Sequence, residues 1–137
     1  MAGFTKILLT GDETGTVDIA FIIDGGGSAI TTGLKGGLEI PFGCTINRVT
    51  LAEISDTPIT SSIVIDIWKD TYANYPPTVL DTITASAKPT LSSAIKSQDS
   101  TLTGWTTSIT AGEFLFYNVD SVTDAKKILI SLKVTKT

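Results

Sequence analysis

Apolar residues at every second position are the feature that most narrows what this chain can fold into. Ile128, Ile130, Leu132 and Val134 fall on one side of an extended segment, with Ser131 and Lys133 on the other. Ile63, Ile65 and Ile67 share a face and leave Asp66 and Trp68 opposite. Val17, Ile19, Phe21 and Ile23 repeat the pattern around Asp18 and Ala20. A period of two belongs to strands with one side buried. The abundance of Ile, Thr and Ser agrees, because β-branched side chains fit a pleated surface and lose rotamer freedom in a helix.

Weaker strands are expected at 4–9, 37–40, 45–54, 101–105 and 113–119. The run from Cys44 changes face at Asn47-Arg48, from Ile46 to Val49 and Leu51, as a bulge would require. Phe114, Leu115, Phe116 and Tyr117 are apolar on both faces, which suits a central strand or one pressed against a neighbouring subunit. These four are the candidate subunit contact. Turn signals punctuate the strands: Asp24 to Gly27, Gly36-Gly37, Ser55 to Pro58, Tyr75-Pro76-Pro77, Lys88-Pro89 and Ala111-Gly112. No stretch of ten residues carries a 3.6-residue apolar period, and short turns at 77–80 and 124–127 are the best helical candidates. There is no internal repeat and no linker. Many short strands with regular punctuation predict an all-β fold, an antiparallel β-sandwich of jelly-roll type. Residues 1–137 form a single domain, with 1–32 expected as an N-terminal strand or arm used in assembly.

Hydrophobic residues make up 42% of the chain, charged residues 18%, and mean hydropathy is +0.27. That balance excludes a disordered chain. It fits either contacts between subunits or strands apolar on both faces, and composition leaves both open. A net charge of −4 and a pI near 4.6 disfavour nucleic acid and anionic membranes. The first residues lack a charged segment followed by an apolar stretch, so no secretory signal is read there. No run approaches a membrane span. The expected course is synthesis in a host cytoplasm followed by assembly.

With no histidine, the chain lacks the commonest general base and metal ligand. Cys44 is alone and reads as a small core residue rather than a nucleophile. Asp66, set between Ile65 and Ile67, reads as an outward position on an alternating strand, although an acid pair for glycoside hydrolysis needs only two such carboxylates. The run from Gly11 to Asp18 resembles a calcium loop loosely and reads better as a hairpin loop. Asp24-Gly25-Gly26-Gly27-Ser28 is glycine-rich, but no Lys-Ser/Thr follows, so it reads as a flexible crossover rather than a phosphate cradle. No catalytic residue, cofactor or metal ligand is assigned, and the chain is expected not to be an enzyme. Trp68, Tyr72 and Tyr75 are the candidate glycan-binding residues, since exposed aromatic faces beside amides and hydroxyls hold sugars by stacking. The competing reading has Trp68 capping the core and the tyrosines wedging a loop. Trp105 reads in the same two ways.

From Gly33 to Lys136 the chain resembles a small β-sandwich module of tailed bacteriophage virions, found in tail fibres or spikes and in head decorations. The residues that carry the resemblance are Gly37-Leu38-Glu39-Ile40-Pro41-Phe42 with Cys44-Thr45-Ile46, then Ser62 to Lys69. Asp81-Thr82-Ile83-Thr84, Lys88-Pro89-Thr90-Leu91, Thr101-Leu102-Thr103-Gly104-Trp105, Ala111-Gly112-Glu113 and Ile128 to Val134 follow. The Phe114–Tyr117 segment departs from the pattern, which has a charged residue and a short polar strand there. The resemblance implies a β-sandwich that is a structural virion component and assembles as a homotrimer; other virion proteins and a host surface glycan are the further expected partners. It supplies no catalytic residues. Three functions are therefore in play: a virion structural protein, a carbohydrate-binding adhesin module using Trp68, Tyr72 and Tyr75, and a glycan hydrolase.

Overall fold

A computed structural model describes residues 15–137. Among these residues nine strands, all paired antiparallel, form two facing sheets. They are β1 (Thr16–Asp24), β2 (Gly33–Ile40), β3 (Cys44–Glu53), β4 (Ser61–Asp70), β5 (Thr90–Ala94), β6 (Lys96–Asp99), β7 (Ser108–Ile109), β8 (Glu113–Thr123) and β9 (Lys127–Lys136). One sheet runs β1-β9-β3-β6, with the two-residue β7 also on β3; the other runs β2-β8-β4-β5. With β7 set aside, this is the jelly-roll order, in which the chain repeatedly crosses from one sheet to the other. The expected β-sandwich is the architecture found.

The alternating strands bury the faces the sequence marks. Ile128, Ile130, Leu132 and Val134 meet Ile63, Ile65 and Ile67 across the sandwich, joined by Ile46, Val49 and Leu51. Phe21 reaches over from β1 and stacks on Tyr117 with ring centroids 4.6 Å apart and planes 10° from parallel. The face change in β3 is a register shift between Ile46 and Arg48, as the sequence requires. Cys44 lies in the core, where burial pushes its thiol pKa up.

Within 1–32, residues 16–24 are strand β1, which pairs along its whole length with β9 and sends Ile19 and Ile23 into the core. The strand expected at 4–9 and residues 11–14 of the 11–18 loop lie outside the described residues, and residues 16–18 already belong to β1. The strand expected at 101–105 is a turn. Asp99 Oδ1 accepts the N–H groups of Thr101 (2.9 Å) and Leu102 (3.2 Å), and Leu102 and Gly104 both take positive φ. That geometry places the buried Trp105 so that its indole N–H donates to Ala87 O (2.7 Å).

The Phe114–Tyr117 segment is a central strand, between β2 and β4. Leu115 and Tyr117 point into the core, and Phe116 is buried on the opposite face within the same chain. Burial of both Leu115 and Phe116 in an isolated subunit counts against this strand as the subunit contact. The cover on its outer face is the chain's own 71–89 segment.

Candidate functional site

The outer face of the β2-β8-β4-β5 sheet is built by the residues that alternate away from the core. Antiparallel register sets Asp66 beside Asn118, Trp68 beside Phe116 and Asp70 beside Phe114. On β2, Gly37 lies opposite Phe116. A Cβ at Gly37 would stand 2.4 Å from the Phe116 ring and 2.2 Å from Leu115 O, so only glycine lets that ring lie across the sheet.

After β4 the chain turns back over this face. A 3₁₀ turn at Tyr72–Asn74 is capped by Thr71, whose Oγ1 accepts the Asn74 N–H (3.3 Å). A second, Val79–Asp81, is closed by a capping box in which Thr78 N–H donates to Asp81 Oδ2 (2.7 Å) and Thr78 Oγ1 accepts from Leu80 N–H (3.3 Å). Between them Tyr75 sets its ring edge-on to Phe114 (5.0 Å) and Phe116 (5.5 Å), and Tyr72 lies 6.4 Å from Phe114. Each tyrosine keeps much of its surface in solvent: Tyr72 is 78% exposed and Tyr75 51%.

The segment is fastened by a carboxylate. Asp66 does face away from the core, as alternation predicts, but it is only 1% exposed because the overlying chain covers it. Its Oδ1 accepts from Ile67 N–H (2.8 Å), Thr82 Oγ1 (2.6 Å) and Thr84 Oγ1 (2.7 Å), and its Oδ2 accepts from the Trp68 indole N–H (3.0 Å). Lys88 Nζ lies 3.8 Å from Oδ2 and 2.6 Å from Asp120 Oδ2, while Asn118 Nδ2 donates to Asp120 Oδ1 (2.8 Å). The hydrogen bond to Asp120, with the attraction of both carboxylates, holds the Lys88 ammonium above its usual range despite partial burial. The buried charge is thus surrounded by donors, as its desolvation demands.

All three candidate glycan residues therefore reach one face, with different roles. Tyr72 and Tyr75 present ring surface, whereas Trp68 is half-buried and its only donor is committed to Asp66. Tyr75 wedges the segment, as the competing sequence reading has it, and still shows a face to water. Sequence reasoning missed Phe114 and Phe116 as the floor and Thr82, Thr84 and Lys88 as the fastening. The usable signal was an acid inside an apolar strand together with alternating hydroxyls at Thr82 and Thr84.

Fold and face together define a jelly-roll sandwich carrying an aromatic surface on a fastened flap. No family model matches the chain, and no curated protein matches it. Among solved structures it is similar to the K3 cleaved adhesin domain of Lys-gingipain from Porphyromonas gingivalis w83. That match has 14% identity and a TM-score of 0.36 over 89% of this chain and 74% of that one. It is also similar to the CBM22-1–GH10 modules of Clostridium thermocellum endo-1,4-β-D-xylanase 10B, solved with xylohexaose. There the identity is 9% and the TM-score 0.29 over 90% of this chain and 26% of that one, so the chain spans about a quarter of that structure.

Proposed function

We propose that the protein is a carbohydrate-binding adhesin module whose sugar-facing surface is the Tyr72–Tyr75 flap. The supporting observation is that two tyrosine rings, held against Phe114 and Phe116, stay exposed on a flap fastened to the sheet. Aromatic side chains offer a flat apolar face with a polar tip, the combination that suits a sugar ring and its hydroxyls. A fastened platform loses little conformational entropy on binding. The role is binding rather than turnover, because the one buried acid of this face is fully engaged by its own chain. A glycan array with wild-type protein and Tyr72→Ala tests this. Binding to a defined set of glycans, lost in Tyr72→Ala with the fold intact, is expected; an array without binding refutes it.

A second reading, membership of a bacteriophage particle as a homo-oligomer, is supported by the sequence resemblance and by two exposed aliphatics. Ile22 on β1 and Leu34 on β2, both on strands at sheet edges, are about half exposed. Native mass spectrometry tests it, with a trimer expected and a monomer at micromolar concentration counting against it.

A further inference from the structure

The pole of the sandwich opposite the tyrosines is formed by the connections after β1, β3 and β8. These are tied to one another by backbone bonds: Gly25 N–H to Lys126 O (2.8 Å), Ile30 N–H to Ala125 O (2.7 Å) and Ile54 N–H to Lys127 O (2.8 Å). Beneath them Glu53 is almost fully buried. Its Oε1 accepts from Ser55 N–H (3.0 Å) and Ser55 Oγ (2.6 Å), and its Oε2 from Lys126 N–H (3.1 Å) and Lys127 N–H (3.3 Å). One carboxylate therefore holds two of the three connections, and the backbone bonds hold the third. The result is an open cleft of about 400 Å³.

The chemistry of its walls selects a ligand class. Asp24 and Lys127 face each other at 3.8 Å, and Asp56 and Lys126 add one charge of each sign from different loops. The charges balance, so the cleft does not select an anion. Among the described residues no group of three or more acids or thiols could hold a metal ion. No aromatic or branched aliphatic side chain lines it, which removes the basis for holding an apolar molecule. A hydroxyl can donate to a carboxylate while accepting from an ammonium, and paired Asp and Lys side chains suit neighbouring hydroxyls. Gly26 and Gly27, with φ of +70° and +90°, have open space where a Cβ would stand, so a ligand can approach the backbone there.

We propose that this cleft binds a short neutral saccharide through hydrogen bonds to its hydroxyls, as a site separate from the tyrosine flap. It does not depend on the flap binding anything. The test is a titration of ¹⁵N-labelled protein with cellobiose, maltose and lactose to tens of millimolar, followed by amide shifts. At least one disaccharide should move Gly26, Gly27, Ser55, Asp56 and Thr57 saturably. The double variant Asp56→Ala/Lys126→Ala should weaken that response by roughly tenfold, the scale of losing charge-assisted hydrogen bonds, while its other amides keep their native dispersion. Cleft amides unmoved by all three sugars, or moved equally in the double variant, overturn the proposal. So does inorganic phosphate shifting them at lower concentration than any sugar. Shifts confined to Tyr72 and Tyr75 overturn this site while supporting the flap, and shifts confined to the cleft support this site without the flap.

Discussion

Replacing Asp66 with alanine leaves Thr82, Thr84 and the Trp68 indole without their shared acceptor beneath the flap. Buried donors stranded in this way cost about 3 kcal/mol. Chemical denaturation should show that loss, and hydrogen exchange should show it concentrated at 71–88. Glu53 gives a pH signature. Burial raises its proton affinity, but hydrogen bonds from Ser55, Lys126 and Lys127 outweigh this and set its folded pKa below the ordinary 4.5. Its contribution is then complete above pH 4.5 and lost as pH falls through the folded value. Stability measured against pH should fall more steeply below pH 4.5 in wild type than in Glu53→Gln, which should also be less stable at neutral pH. At this scale the sequence was half legible. An acid flanked by isoleucines pointed to an outward position at 66, but the cover on it is made by residues 16 and 18 positions further on, beyond the reach of local pattern.

Strand β8 shows how an element can be apolar on both faces without a partner subunit. Its inner face meets the core, and its outer face meets the flap, with Gly37 leaving room for Phe116. Gly37→Ala forces the neighbouring strand or the Phe116 ring to move, and should cost about 1–3 kcal/mol in denaturant unfolding, the range for overpacking. Replacing residues 72–81 with a glycine-serine linker should uncover Phe114 and Phe116 and cause self-association. Sedimentation velocity would detect this, and a strictly monomeric variant would show that the flap is not the cover. The strongly alternating strands β1, β4 and β9 were legible because each buries one full side. Strands β5 and β6 were not, because they are short, largely polar edge strands in which Leu91 is the one fully buried residue. The stretch 101–105 misled because the Asp99 cap and Gly104 override its extended propensity.

For the whole molecule, the sandwich class follows from strand number and punctuation, but the strand order does not, since alternation carries no information about which strands pair. The pairs that define the fold join distant residues: Thr16 with Thr135, Cys44 with Lys136, and Val49 with Leu132. Chains dominated by such pairings refold in milliseconds to seconds rather than microseconds, and stopped-flow fluorescence of Trp68 and Trp105 should show that time range. Strand β9 lies between β1 and β3, as the partner of β1 and the longest partner of β3. During synthesis, β1 and β3 emerge long before the residues that will separate and join them. On that side of the sandwich β1 stays unpaired, and β3 has only its short partners β6 and β7, until 127–136 clear the ribosome, so apolar strand faces stay exposed to chaperones through most of synthesis.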